Sequence, residues 1–577
     1  MPAYRSNTPS DAGALAVAAA SIFALIVPVM RGDVPAGHDA PAHLTYTYLF
    51  DRALAEGQFP VRWMEWIREG HGQPLFNFYQ PGLFYIVQAI HLAVPSLTAS
   101  LKLTVLLSWW LGAAFVYLLC RRFGRLPAAA VAVLFAFSPY LILDVFVRCA
   151  YPELAGIAFG VGVLWALDGW LRTRRPAWLP ALACLACLML VSHPPTSLIF
   201  SPLFAGYVLC LVLTRQTTGG AVAALVPAAL LGLGLAAFYI VPAIAELHLI
   251  RSAELTHEGY DYHRHFVFPR QWLTYGWGSG SSVEGVKDGM SFQIGIAQWV
   301  AIALAMTVVA ADVIRRTVTA RTIELSFWLF VAAAAMFFMT PASVSLWEAT
   351  PALAFVQYPW RFLMLISIAA AAMSAPLLSS ISNRRWQAAL VVCVAVVQVQ
   401  LTYAYLVPSG YITRDTIDID WPDWRHSKEA RKHAFIERGY YPMSLDPAAI
   451  PEVRRWTITR GQAVVREISI KGHEVVLAVT ADEPTDLQIN TPAFPGWSLT
   501  VDGIETPGFL CQGYLTVKLA PGTHRVRAAF KNTPVRTYAN VTSLASGVIL
   551  LAATALLATR TPAAKEAQDP GLPRADT

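Results

Sequence analysis

The chain has 577 residues, of which 56% are apolar and only 14% charged, with a formal net charge of +6. Soluble domains carry closer to ~25% charged residues, so this composition excludes an ordinary soluble enzyme. The positive balance does not point to nucleic acid, because the basic residues sit between apolar segments, where they set membrane topology.

The apolar material is cut into segments of about 18–22 residues, the length that crosses a bilayer as a helix. In chain order, twelve spans are expected near 14–30, 99–120, 127–146, 154–171, 177–192, 197–214, 221–241, 291–313, 324–340, 361–381, 387–406 and 538–558. No small-residue cleavage site follows the first run, so it reads as a retained span and not a removed signal peptide. With twelve alternating spans, the short connections carrying Arg121, Arg122 and Arg125, then Arg172, Arg174 and Arg175, then Arg215, then Arg315, Arg316 and Arg321, then Arg384 and Arg385, then Arg560 all fall on one face. The positive-inside rule makes that face cytoplasmic and puts both termini there.

The opposite face receives the long connections: residues 31–98, 242–290, a shorter loop near 341–360, and a domain over 407–537. Residues 1–406 thus form the membrane domain, 538–558 a final span, and 559–577 a cytoplasmic tail expected to be disordered. Within 453–532, the runs Val464–Ile470, Glu474–Val479, Trp497–Val501, Leu515–Leu519 and His524–Phe530 alternate in polarity. Lys471-Gly472, Asp502-Gly503 and Pro521-Gly522 separate them as turns. This predicts a small antiparallel sandwich, serving either to grip substrate or as a lid or spacer.

The first long loop opens with His38-Asp39-Ala40-Pro41-Ala42-His43. A carboxylate between imidazoles suits a general base with orienting or metal-binding neighbours, although this spacing is not a tight zinc pattern and an ordinary polar loop start is the alternative. Further on, Phe59-Pro60-Val61-Arg62-Trp63 and Trp66 suit an interfacial helix or an aromatic anchoring belt, and Leu83–Val94 is an apolar stretch too short to span. Arg148 and Glu153 bracket a very short turn, His193 joins two spans, and Tyr358-Pro359-Trp360-Arg361-Phe362 opens the tenth. Arg148 and Arg361 run against the charge bias and call for a partner, either an anionic phosphate held by the guanidinium fork or an intramolecular acid such as Glu153. The loop 254–270, with His265, is rich in titratable groups. Cys184 and Cys187 make a C-x-x-C inside a span, which reads as two small residues in a membrane helix.

The His38-Asp39-x-x-x-His43 opening, the Arg148 to Glu153 turn and the Tyr358–Phe362 segment resemble a bacterial multi-spanning family named 6-pyruvoyl-tetrahydropterin synthase-related, a label without pterin chemistry. That family in turn resembles the GT-C superfamily of membrane glycosyltransferases. Phe494–Gly503 and Pro521–His524 resemble the β domain of related bacterial proteins. The resemblance implies an all-α polytopic GT-C-like membrane protein with a C-terminal extracytoplasmic β-sandwich-like domain, placed in the bacterial inner membrane. It implies a lipid-phosphate-linked sugar (polyprenyl phosphate) as donor and an envelope glycan or lipid as acceptor, with no nucleic acid. Asp39 then matches the acidic residue of the first outer loop, with His38 and His43 orienting it or the acceptor and Glu153 the nearest match to a second acid. Arg361 and Arg148, with Tyr358, Trp360, His193 and His265, are the candidate substrate-binding residues. Some GT-C enzymes bind a divalent metal, but the chain has no D-x-D pair and no metal ligand is assigned. The competing expectations are a flippase or transporter of lipid-linked sugars, which would place charges deep in the spans, and a non-catalytic envelope assembly protein.

Overall fold

A computed structural model describes residues 9–65, 71–412, 438–446 and 454–560. Among these, ten helices are long and apolar enough to cross a membrane, and eleven if a bent pair counts as one span. The bent pair is Arg125–Ala136 and Pro139–Phe146, turned by 43°. Proline at the start of its second half removes a helical N–H and forces the break. The segment expected as a span at 177–192 is the helix Trp178–Ser192, 15 residues long and thus only about 22 Å. Local sequence sets the other ends as well. The Ser96 hydroxyl caps Leu97–Cys120 by accepting from the Ala99 amide, Asn383 caps Arg384–Thr402, and Thr319 caps Ala320–Phe338.

The helix Tyr151–Thr173 is buried along most of its length and is flanked by Leu97–Cys120 and Trp178–Ser192. The final helix, Pro534–Arg560, lies at the periphery against Leu225–Ala245. Its Val541, Leu544, Val548 and Leu551 are exposed, an apolar surface of the kind that faces lipid.

The C-terminal β domain is the expected antiparallel sandwich. Its strands are preceded by the short pair β1 (Val34–Pro35) and β2 (Tyr411–Ile412). They are β3 (Trp456–Arg460), β4 (Ala463–Lys471), β5 (Glu474–Ala481), β6 (Thr485–Pro492), β7 (Trp497–Val501), β8 (Ile504–Glu505), β9 (Phe509–Cys511), β10 (Tyr514–Leu519) and β11 (Gly522–Phe530). One sheet has the order β3-β6-β10-β9 and the other β4-β5-β11-β7-β8. Val475, Leu477, Leu487, Ile489, Val517 and Val526 fill the space between them. Asp502 and Gly503, at φ +53° and +84°, make the tight β7–β8 hairpin that their sequence signals.

The segment 59–63 departs from expectation. No helix forms there: Pro60 interrupts it, and while Phe59 is exposed, Trp63 is fully buried against Phe494, Trp497 and Phe530 of the β domain. Arg62 donates to Asn77 Oδ1 (3.1 Å), the Phe238 carbonyl (2.8 Å) and Asn540 Oδ1 (2.9 Å). Beside it Glu246 pairs with Arg536 at 2.9 Å. Burial of these charges is offset by pairing, and the segment is thereby a wedge between domains. Arg455 and Glu65 add an ion pair at 2.7 Å between the first loop and the β domain. Most of Leu83–Val94 lies in the short helix Gly82–His91. Trp66 and the tail 561–577 lie outside the described residues.

Candidate functional site

A cavity of about 1060 Å³ opens where several helices begin. The helices Ala40–Ala55, Tyr151–Thr173 and Pro194–Leu213 each start at its wall, each with proline in the first turn, where the missing N–H costs nothing. Leu363–Ser379 is entered through the turn Pro359–Phe362, which also reaches the wall. Helix N-termini carry partial positive charge and unsatisfied N–H groups, so the cavity favours anions before any side chain is counted.

All ten candidate residues line this one cavity: His38, Asp39, His43, Arg148, Glu153, His193, His265, Tyr358, Trp360 and Arg361. Asp39 stands at the N-cap position of Ala40–Ala55, yet its side chain makes no capping bond. Its carboxylate is exposed on the cavity wall and has no hydrogen-bond or ion-pair partner among the described residues. Two backbone bonds place it. His38 N donates to Val147 O at 3.0 Å, and Asp39 N donates to Arg148 O at 2.8 Å.

One turn further along, His43 is buried between Tyr79, Phe84 and Tyr151. Burial pushes its imidazole down to about 4, only partly opposed by the Asp39 carboxylate, so it is neutral at pH 7. The Tyr79 hydroxyl lies 3.5 Å from its Nδ1. The ring of His38 donates through Nε2 to the Ser279 carbonyl at 3.2 Å.

The charged floor is built around Glu153. Its Oε2 accepts from Arg148 Nη2 at 2.8 Å and from Arg361 Nε at 3.0 Å, while Oε1 accepts from the Tyr140 hydroxyl. Arg148 is also held by Asp144, one turn earlier. The intramolecular alternative for Arg148 is therefore realised, and Arg361 shares the same acid. Glu153 is 1% exposed and has three donors on its two oxygens, so it positions the arginines and has no lone carboxylate oxygen to act as a base. Arg361 Nη1 donates to the Val356 carbonyl at 2.6 Å, and Nη2 has no hydrogen-bond partner among the described residues. The two guanidinium groups stack on aromatic faces, Arg148 on Trp360 at 4.4 Å and Arg361 on Tyr358 at 5.0 Å. These contacts fix two planar cations side by side.

His193 caps Pro194–Leu213, its Nδ1 accepting from the Thr196 amide at 3.3 Å. His265 Nε2 donates to the Gly259 carbonyl and its Nδ1 accepts from the Ser282 hydroxyl, both at 2.9 Å. Burial lowers its basicity too. Among the described residues no group of three or more His, Cys, Asp or Glu side chains has metal-holding geometry. Asp144 and Tyr140, central to the floor, were not singled out in the sequence. Their signal is an i,i+4 Asp144–Arg148 spacing at the end of an apolar run.

The sequence profile of the 6-pyruvoyl-tetrahydropterin synthase related domain, described as a membrane protein, matches residues 76–407, more than half of the chain. The chain belongs to this family. No curated protein sequence matches it. Among solved structures, this family member is similar in fold to the arabinofuranosyltransferase AftD from Mycobacteria, with 17% identity and a TM-score of 0.41 over 71% of this chain and 28% of that one. It is similar also to the archaeal oligosaccharyltransferase AglB from Archaeoglobus fulgidus, in complex with an inhibitory peptide and a dolichol-phosphate, with 13% identity and a TM-score of 0.41 over 74% of this chain and 60% of that one. For ArnT from Cupriavidus metallidurans bound to undecaprenyl phosphate, identity is 10% and the TM-score 0.31, over 70% and 90% of the two chains. The family member thus spans little more than a quarter of the length of AftD and three-fifths of AglB.

Proposed function

We propose that the protein is a membrane glycosyltransferase that moves a sugar from a polyprenyl-phosphate-linked donor to a glycan or lipid acceptor of the cell envelope. The carrying observation is Asp39: a carboxylate on the cavity wall, free of any capping bond, in the same cavity as an arginine pair fixed by Glu153. In this reading the acceptor hydroxyl gives its proton to Asp39 as its oxygen bonds to the anomeric carbon of the donor. The bond from that carbon to the phosphate oxygen breaks, and its electron pair leaves with polyprenyl phosphate. A single displacement of this kind inverts the anomeric centre. Arg361, whose Nη2 has no hydrogen-bond partner among the described residues, stabilises charge on the leaving phosphate, an electrostatic task that a fixed cation performs well, while Arg148, taken up by Asp144 and Glu153, is the second choice and holds Glu153 in place.

The reading places the cavity and the β domain on the periplasmic face of a bacterial inner membrane, with both termini cytoplasmic. A second polar cluster supports it. Arg122 and Arg172 pair with Asp168, and Arg122 also with Glu324. Glu153 and Arg172 lie on one helix, separated by roughly 29 Å at 1.5 Å per residue, close to the ~30 Å hydrocarbon thickness of a bilayer. One observation favours a rival transporter of lipid-linked sugars: Asp144 is wholly buried in the second half of the bent pair, and an ionisable residue buried in the membrane is a marker of transport.

Replacing Asp39 by Asn tests the reading. Purified protein in nanodiscs is given polyprenyl-phosphate-linked mannose, glucose or arabinofuranose with an envelope lipid extract, and released polyprenyl phosphate is measured by mass spectrometry. Asp39→Asn is expected to lower release by about 10²–10⁴-fold with an unchanged melting temperature. Transfer within a few-fold of wild type would sink the assignment of Asp39 and with it the enzyme.

A further inference from the structure

The segment Arg438–Asp446 joins the β domain to the cavity and has no task in the reaction described. One side of it is zipped to the loop at 249–255. Arg251 N donates to Tyr441 O at 3.0 Å, Met443 N donates to Leu249 O at 2.9 Å, and Ile250 bridges Pro442. Gly439 lies so close to Leu255 that a Cβ there would stand 2.3 Å from Leu255 Cδ2. The other side is fastened to the sandwich. Ser444 Oγ donates to the Ala493 carbonyl at 3.0 Å, and Gly513, at φ +87°, leaves room for Ser444 O that a Cβ would fill at 2.4 Å. The adjacent tyrosines part company here. Both are buried: Tyr441 packs with Leu445 and Tyr514 of β10, and Tyr440, 8% exposed, gives its remaining surface to the cavity wall and meets Tyr79 edge-on at 6.2 Å. Tyr79 is the same residue whose hydroxyl approaches His43.

We infer that Tyr440 is an acceptor-binding, specificity-determining residue, that it takes the apolar face of a sugar ring, and that the β domain exists in part to carry it into the cavity on this strap. The inference rests on the glycosyltransferase reading above. Two tyrosine rings at right angles make a corner that is apolar on its faces and polar at its tips, matching a sugar, which has C–H faces and hydroxyl edges. Tyrosine offers that contact area at low conformational-entropy cost, with two side-chain torsions to fix. The corner stands on the Asp39–His43 side of the site, where an acceptor hydroxyl must come to lose its proton.

The test uses the full chain in nanodiscs and two separate ligands. Saturation-transfer NMR with the methyl α-glycosides of glucose, mannose, galactose and arabinofuranose reads the sugar corner, and the thermal shift given by decaprenyl phosphate reads the lipid-phosphate site. Wild type is expected to bind at least one glycoside. Tyr440→Ala is expected to weaken that binding by about tenfold or more, the cost of truncating an aromatic anchor, and Tyr440→Phe to stay within about threefold. Gly513→Ala, remote from the cavity but pressing on the strap, is expected to weaken glycoside binding too while the decaprenyl phosphate shift is kept. Glycoside binding by Tyr440→Ala equal to that of wild type, or no glycoside binding by wild type, overturns the inference. An unchanged Gly513→Ala overturns the carrier role of the β domain. Absence of a decaprenyl phosphate shift in wild type counts instead against the glycosyltransferase reading, since Tyr440 is scored on the sugars alone.

Discussion

The backbone amide of Asp39 donates to the carbonyl of Arg148 at 2.8 Å. The candidate base and one of the candidate phosphate-holding residues are therefore parts of one backbone unit, although they come from different connections. The join is close because Gly37 passes under the turn: a Cβ on it would lie 2.4 Å from Cys149 Sγ and 2.5 Å from Val147 O.

Gly37→Ala should separate the two strands of this unit. A displacement of the base by about 1 Å costs roughly 10²-fold in rate, while overpacking of this size costs about 1–3 kcal/mol of stability. Turnover is expected to collapse in a protein that still melts cooperatively, measured by release of polyprenyl phosphate and by differential scanning fluorimetry. A fully active variant would show that the loop does not need this contact.

Glu153→Gln and Arg361→Ala should differ in kind. Neutralising Glu153 leaves two buried guanidinium groups with only Asp144 between them, and breaking a buried pair costs about 3–5 kcal/mol. Removing Arg361 leaves Glu153 still bound by Arg148 and Tyr140. The first variant is expected to lose stability. The second should melt near wild type but lose turnover, with partial recovery in Arg361→Lys, which keeps the charge and lacks the planar fork. Equal melting losses in both would mean that the arginine is structural.

Stability should fall in acid through His43. Its folded imidazole titrates near 4, below the usual 6.5, so protonation favours the unfolded chain. The contribution is complete above pH 6.5 and is lost as the pH falls towards 4, where the loss approaches roughly 3 kcal/mol. Melting curves of wild type and His43→Gln between pH 7 and 4 should converge at the acidic end, and parallel curves would rule His43 out as the cause.

Topology can be read by labelling. In a cysteine-free background, Glu258→Cys and Glu483→Cys, both at exposed positions, should react with an impermeant maleimide on intact spheroplasts. Arg316→Cys, also exposed, should react only after permeabilisation. Labelling of one of the first pair without the other breaks the proposed arrangement.

Much of the site was legible because its residues are costly where they stand. A His-Asp-x-x-x-His run beyond a span, and arginines against the charge bias, have few cheap explanations. Asp144 escaped because a single carboxylate within an apolar run barely changes its hydropathy, and its partners appear only when the bend at Pro139 turns it inward. The cluster of Arg62, Glu246 and Arg536 was hidden for another reason: its members are far apart in the chain, and no local pattern links them. Strand β6 was missed because Gln488, Asn490 and Thr491 look like solvent-facing residues, whereas all three are buried. Asn490 O meets His71 of the first loop at 2.9 Å, so the polar side of the strand is an interface. Trp63 misled by the same logic, being apolar for the sake of the β domain, whereas Phe59 beside it stays exposed.

The cavity wall runs from His38 to Tyr440, and this sets an order of events during synthesis. At about 5–20 residues per second, a ribosome needs roughly 20–80 s to travel from one to the other. Arg361, the last charged residue of the wall to be made, precedes Tyr440 by 79 residues, so in the proposed reading the membrane helices hold Asp39 and both arginines without an acceptor corner only for the final stretch, roughly 4–16 s at that rate. In that reading the donor is seated first and an acceptor is chosen only once the strap has closed the wall, so a chain ending between Arg361 and Tyr440 is expected to be unselective, whereas one ending before Arg361 lacks the phosphate-holding residue as well.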